Sequence, residues 1–392
     1  MIEEVLHRYN PWWEDKGFEY QELRDRPLMM EVIKKNIAGK SLILLTGLRR
    51  VGKTSLLKLL ITHLLRQKSI RNKSILYVSL DNYLLSKYSI LDIVEVFRKI
   101  QKLKSSDKVT LIFDEVTYKE NFEIQLKNLY DDGTCKVFAS SSSSLEIKDK
   151  KAYLTGRSRV IEVLPLNFGE YLDFKGIVIN KSDSHLKEAY FEEFLRVGGM
   201  PEYVITGEDE HIKDLVDDII MKDIAAKRNI KDITGLKDYF LLLMERAGKI
   251  ASLNKMANIL GISPDTSKRY FEMFTDTFLI YPIAKMGKTN ERILSPKKIY
   301  AGDIGLRNYF TGFRDKGAVF ENYVYLQIKS QNPQYVYDGK NEIDFMTFDK
   351  TLIEVKYHDE MKAKQKSYFE NIKAKKKVVI RNVKALEKYL AF

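Results

Sequence analysis

The chain has 392 residues, 44% of them hydrophobic and 31% charged, and carries a formal charge of +12. That length predicts two or three domains, and the composition excludes a disordered chain. One cysteine, Cys135, excludes an internal disulfide and any multi-cysteine metal site.

No apolar run reaches the roughly 20 residues that span a bilayer, and the opening MIEEVLHRYN has no signal-peptide core. A cytoplasmic protein without membrane contact is expected. The positive charge favours a polyanionic partner such as DNA, although Lys- and Glu-rich chains also serve stability at high temperature.

In chain order, residues 1–40 read as a helical arm with both tryptophans in Asn10-Pro11-Trp12-Trp13. The pair either anchors the arm on the core or borders a nucleotide base. Residues 41–175 read as the first domain. Leu42–Leu45 is a buried parallel strand, followed directly by Gly47-Leu48-Arg49-Arg50-Val51-Gly52-Lys53-Thr54. This octet fits G-x-x-x-x-G-K-[ST], the phosphate-binding loop. The glycines let backbone N–H groups curl around a phosphate, with Arg49, Arg50 and Val51 between them. Lys53 adds a mobile positive charge, Thr54 a hydroxyl for Mg²⁺, and Ser55 lies in the first turn of a helix whose positive end faces the anion. ATP or ADP with Mg²⁺ is the expected cofactor.

Ser74–Leu80 is a second buried strand, and Val109–Phe113 a third that ends in Asp114-Glu115. Asp114 is placed to hold Mg²⁺ and Glu115 to polarise the attacking water. The next strand runs into five serines, Ser140–Ser144. Ser141 or Ser142 is the candidate γ-phosphate sensor, with a plain polar loop as the alternative. In Leu154-Thr155-Gly156-Arg157-Ser158-Arg159, an arginine could act as a finger on a nucleotide in the same or a neighbouring subunit, or lie idle on the surface.

Residues 176–235 read as a helical linker or lid broken at Gly198-Gly199-Met200-Pro201, a fixed turn. Residues 236–300 contain a short helix, a Gly261-Ile262-Ser263 turn, and a second helix capped by Ser263 with Pro264 in its first turn. This is helix-turn-helix spacing with a strand to follow, as in a winged helix. Lys268 and Arg269 on the second helix are candidate DNA contacts, unless the module is only a structural lid.

In residues 301–392, Gly317–Lys329 reads as a helix carrying Glu321, and two hairpin strands carry Asp344 and Glu354-Val355-Lys356. Glu354 and Lys356 face one side of a strand. With Asp344 and Glu321 they could hold Mg²⁺ for phosphodiester cleavage, or form a cross-strand ion pair. A basic rim, Lys362, Lys364, Lys366 and Lys373–Arg381, follows.

The strings GLRRVGKTSLL, LIFDE, LTGRSRVIEVLPLNFGEYL, GGMPEY, KKIYAGDIGLRN, FENYVY, EIDFM and LIEVKY occur in an order that resembles prokaryotic, archaeal-type AAA ATPases with a DUF4143-like C-terminal domain. The resemblance implies an α/β chain: a P-loop AAA-type parallel-sheet ATPase domain, a winged-helix region, and a C-terminal fold similar to PD-(D/E)xK nucleases. It implies Arg157 as the arginine finger and a homo-oligomer, plausibly a hexameric ring. The expectation is an ATPase that works on DNA, branched DNA such as Holliday junctions included. A nucleotide-dependent regulatory or defence switch and an ATP-gated nuclease are the alternatives.

Overall fold

The computed structural model describes residues 2–67, 69–143 and 154–391. Ser144, the last of the serine run, lies outside them. The chain divides into two compact units, Met1–Val163 and Leu164–Phe392.

The first unit is built on a five-stranded parallel sheet: β1 (Leu42–Thr46), β2 (Ile75–Ser79), β3 (Val109–Asp114), β4 (Cys135–Ser141) and β5 (Ser158–Glu162), in the order β2-β3-β4-β1-β5. All five residues of β1 are buried, the pattern of a central parallel strand covered on both faces. In open sheets of this kind the ligand crevice forms outside the carboxyl ends of the strands.

The N-terminal arm closes the β2 edge. The Asn10 side chain behaves like a strand residue there: Oδ1 accepts the Tyr77 N–H at 2.7 Å, and Nδ2 donates to the Tyr77 carbonyl at 2.9 Å. Both indole N–H groups donate to the Ile75 carbonyl, Trp13 at 2.8 Å and Trp12 at 3.4 Å. The tryptophans are anchors. Each aromatic of this kind removes on the order of 200 Å² from water, worth at most about 5 kcal/mol.

The second unit begins at Leu164, ahead of the boundary expected after residue 175, and it continues through the breaks expected at 235 and 300. Three sequence strings interlock to make it continuous. The Leu166 N–H donates to the Gly199 carbonyl at 2.8 Å, just before a capping box in which Asn167 and Glu170 satisfy each other's backbone. A Cβ on Gly199 would sit 2.2 Å from the Leu166 carbonyl oxygen, so only glycine permits that approach. The buried Asp303 carboxylate accepts the Gly199 N–H and, from the helix it caps, the Leu306 N–H, each at 2.8 Å. The Gly-Gly break is therefore one side of a lock.

Further along lie a helix Ile233–Glu245, β6 (Lys249–Ala251), a helix pair Leu253–Leu260 and Pro264–Asp276, then β7 (Ile280–Ile283) and β8 (Lys297–Ala301). The three strands form an antiparallel sheet in the order β6-β8-β7. Ser263 Oγ accepts the Thr266 N–H at 3.1 Å, so the second helix of the pair starts where its cap predicts. The helix Lys316–Ile328 and a four-stranded sheet complete the unit: β9 (Gln334–Tyr337), β10 (Glu342–Met346), β11 (Thr351–Val355) and β12 (Lys376–Ile380), in the order β12-β11-β10-β9. Among the described residues no helix is long and apolar enough to cross a membrane.

Candidate nucleotide site

The loop after β1 takes the shape its glycines allow. Gly47 has φ +140° and its Cβ position lies 2.3 Å from the Val163 carbonyl oxygen, while Gly52, at φ +98°, leads into the helix Lys53–Leu65. That helix presents its first-turn N–H groups and its positive end to the loop's interior. Lys53 is buried, and its ammonium donates to the carbonyls of Gly47 (2.9 Å) and Leu48 (3.0 Å). Arg49 is half-buried, Arg50 and Ser55 are exposed, and Val51 is buried with its carbonyl held by the buried guanidinium of Arg26 at 3.2 Å. Arg26 went unnoticed in the sequence because Arg24-Asp25-Arg26 offers two equal arginines.

The Asp-Glu strand end meets this loop. Asp114 is buried, and three hydroxyls serve its carboxylate. Thr54 donates to Oδ2 at 2.6 Å, Tyr77 to the same oxygen at 3.3 Å, and Ser140 to Oδ1. Burial, reinforced by the Asp114 charge, pushes the Tyr77 hydroxyl well above its ordinary range and keeps it a donor. Glu115 takes a left-handed backbone, φ +51°, at the turn after β3, with its N–H on Ser140 Oγ at 3.0 Å. Its carboxylate accepts Ser142 Oγ at 2.7 Å.

The serines thus divide the work. Ser140 holds Asp114 and the Glu115 backbone, and Ser142 holds the Glu115 carboxylate. Ser141 turns to Thr117 Oγ1 (3.3 Å) and caps the Ser143 N–H (3.0 Å). Ser140 was missed in the sequence. The parallel register that pairs Phe113 with Ala139 brings Asp114 level with Ser140, and counting along the two strands would have found it.

Hard oxygen donors, the Thr54 hydroxyl beside an Asp114 carboxylate, fit Mg²⁺. The glycine cradle and Lys53 fit a polyphosphate.

Arg157 lies elsewhere. Its carbonyl accepts the N–H of Leu42, the first residue of β1, and its side chain pairs with Asp131 at 3.3 Å. The phosphate loop leaves the other end of β1, about 15 Å away at the rise of an extended strand. Arg157 is therefore no finger for its own subunit's nucleotide.

In the second unit, Lys268 and Arg269 are both exposed on the helix Pro264–Asp276. Glu321, Asp344, Glu354 and Lys356 do converge. Lys356 Nζ lies 2.7 Å from Glu354 Oε1, and the Asp344 N–H donates to Glu354 Oε2 at 3.3 Å. A residue the sequence did not single out, Lys298, joins Glu321 to Asp344.

Residues 39–172 match a family described as an AAA domain, and residues 188–317 match a domain of unknown function, DUF8612. The second match ends before Glu321, so it does not bear on the carboxylate cluster. An uncharacterised protein of Methanocaldococcus jannaschii is 29% identical over 350 residues, covering 82% of this chain and 77% of its own. An uncharacterised protein of Haemophilus influenzae is 28% identical over 325 residues, covering 77% of this chain and 78% of its own.

Among solved structures, a Walker-type ATPase of Pyrococcus abyssi aligns with a TM-score of 0.44 at 13% identity, over 75% of this chain and 97% of that one. DnaA from Aquifex aeolicus, bound to AMPPCP, aligns with a TM-score of 0.29 at 18% identity, over 68% and 92%. Residues 39–172 are an AAA-type P-loop ATPase domain.

Proposed function

We propose that this protein is a Mg²⁺-dependent ATPase that couples ATP binding and hydrolysis to work on DNA. The observation that carries the ATPase reading is the convergence on Asp114 of Thr54 from the phosphate loop and Ser140 from β4, with Glu115 in the adjoining turn. In this reading the loop N–H groups and Lys53 bind the phosphates. Thr54 and Asp114 hold Mg²⁺, which supplies charge neutralisation between the phosphates when bound. Glu115 orients a water and accepts its proton. Arg157, remote from its own loop, would serve the nucleotide of a neighbouring copy, which fits a homo-oligomeric ring.

The DNA reading rests on the second unit. A helix, a strand, a helix pair and a two-stranded hairpin follow one another in the order of a winged helix, with Lys268 and Arg269 exposed on the second helix of the pair. From Lys356 to the end the sequence holds eleven Lys or Arg against four Asp or Glu, a balance suited to a phosphate backbone. A nucleotide switch with slow turnover is the second reading. It is favoured by the Ser142 hydroxyl, which donates to one of the two Glu115 carboxylate oxygens and so competes with a water for that carboxylate.

The test is ATP turnover with Mg²⁺, alone and with single-stranded, linear duplex or four-way-junction DNA, with Lys53→Ala as the blank. Turnover raised by one form of DNA is the expected result and names the substrate. Flat, slow turnover with every form leaves the switch.

A further inference from the structure

The pattern of Glu321, Asp344, Glu354 and Lys356 leads one to expect a divalent cation among the carboxylates. The side chains do not leave it a place. Lys298 projects from β8 with its side chain only 2% exposed. Its ammonium lies 2.6 Å from Glu321 Oε1, 2.5 Å from Glu342 Oε1 and 3.0 Å from Asp344 Oδ1. Those three oxygens come from one helix and one strand of the sheet, and they meet at Nζ.

Further donors of the chain serve Glu321, Asp344 and Glu354. Tyr300, two residues along the same face of β8, donates to Glu321 Oε1 at 2.6 Å. Asp344 Oδ2 accepts the Val355 N–H at 2.9 Å. Glu354 accepts Lys356 Nζ and Gln365 Nε2 on Oε1, each at 2.7 Å.

Mg²⁺ demands near-octahedral oxygen ligands at about 2.0–2.1 Å and keeps several waters. An ammonium instead takes three acceptors at hydrogen-bond distance, the geometry found at Lys298. Among the described residues, no three or more His, Cys, Asp or Glu are disposed to hold a metal ion.

We propose that Lys298 is the resident cation of this cluster, standing in the place of a divalent metal, and that the C-terminal sheet therefore holds no Mg²⁺ and cuts no phosphodiester. Burial, then the neighbouring Asp344, raise the Glu321 and Glu354 carboxyls above their ordinary range. Burial alone would strip the Lys298 proton, but Glu321, Asp344 and Glu342 raise its pKa well above the usual lysine range. The inference is independent of the ATPase reading.

The test uses the full chain in an Asp114→Asn background, without nucleotide, so that metal at the phosphate loop does not contribute. Mn²⁺ binding is followed by electron paramagnetic resonance, and plasmid nicking by gel. The Lys298→Met chain keeps the aliphatic length and removes the charge. It is expected to bind Mn²⁺ that the Lys298 chain does not, and to lose it again when Asp344→Asn is added. A folded Lys298→Met chain that takes up no Mn²⁺ overturns the proposal. If Lys298→Met does not fold, the Lys298 chain decides alone. Mn²⁺ binding or nicking that disappears with Asp344→Asn refutes the proposal, and neither activity upholds it.

Discussion

Replacing Ser140 by alanine removes one oxygen atom and cuts two links at the nucleotide site. Ser140 Oγ donates to Asp114 Oδ1 and accepts the Glu115 N–H at 3.0 Å, and Ser140 is itself buried. A hydrogen bond to a charged group contributes about 1.5–3 kcal/mol and a neutral one about 1 kcal/mol. Asp114 keeps Thr54 and Tyr77 on Oδ2, so its carboxylate loosens without being released.

If about 2.5 kcal/mol of the lost interaction is expressed in the transition state, kcat falls roughly 70-fold. Because the loss falls on the Asp114 side, the Mg²⁺ concentration for half-maximal turnover should rise as well. The assay is steady-state ATP hydrolysis across a Mg²⁺ titration, with Ser141→Ala as the comparison. Ser141 contacts Thr117 and Ser143, not the carboxylates, and its variant should stay within about threefold of the parent. A Ser140→Ala enzyme with unchanged kcat and Mg²⁺ dependence would refute the role given to this hydroxyl.

Three further outcomes follow from the geometry. Tyr77→Phe removes only the 3.3 Å bond to Asp114 and should shift the Mg²⁺ midpoint severalfold, leaving nucleotide affinity measured without Mg²⁺ unchanged; equal losses in both would mean a packing role. Gly199→Ala drives a Cβ to 2.2 Å from the Leu166 carbonyl oxygen and should cost about 3 kcal/mol or more, read as a lowered midpoint in urea unfolding; a midpoint within error of the parent would show that the lock gives way. Asp303, lifted by burial from 3.8 to about 6, makes the fold most stable on its own account below pH ~4, and that contribution, at most about 3 kcal/mol, is lost as pH rises through ~6. Unfolding of the parent between pH 4 and 7 should show this slope and Asp303→Asn should lack it; parallel curves would remove Asp303 as the source.

The candidate nucleotide site was legible in the sequence where the chemistry would fix the spacing. The octet Gly47–Thr54 and the strand end Asp114-Glu115 are spaced as a phosphate and a cation would demand, and β1 and β3 are apolar because both faces are covered. Ser140 was not legible, because five serines in a row look alike and only register across the sheet puts one of them level with Asp114. Lys298 was hidden for a similar reason. Lys297 and Lys298 are adjacent, and strand alternation sends only the second inward with Tyr300. The expected domain breaks followed changes in local pattern, whereas the second unit is held by contacts between residues about a hundred positions apart, Gly199 with Asp303 among them. Local composition carries no trace of such a contact.

The arm that covers β2 has a practical consequence for anyone handling the protein. Asn10 satisfies backbone groups that a strand edge would otherwise offer to any passing chain, and the two indoles shield the same border. Trimming residues 2–20 as though they were a dispensable leader would turn that border into an adhesive template, and the shortened ATPase unit should precipitate or form sheet-linked multimers. The boundary for expressing this unit by itself therefore lies ahead of Ile2, and a solubility tag belongs in front of the arm, not in its place.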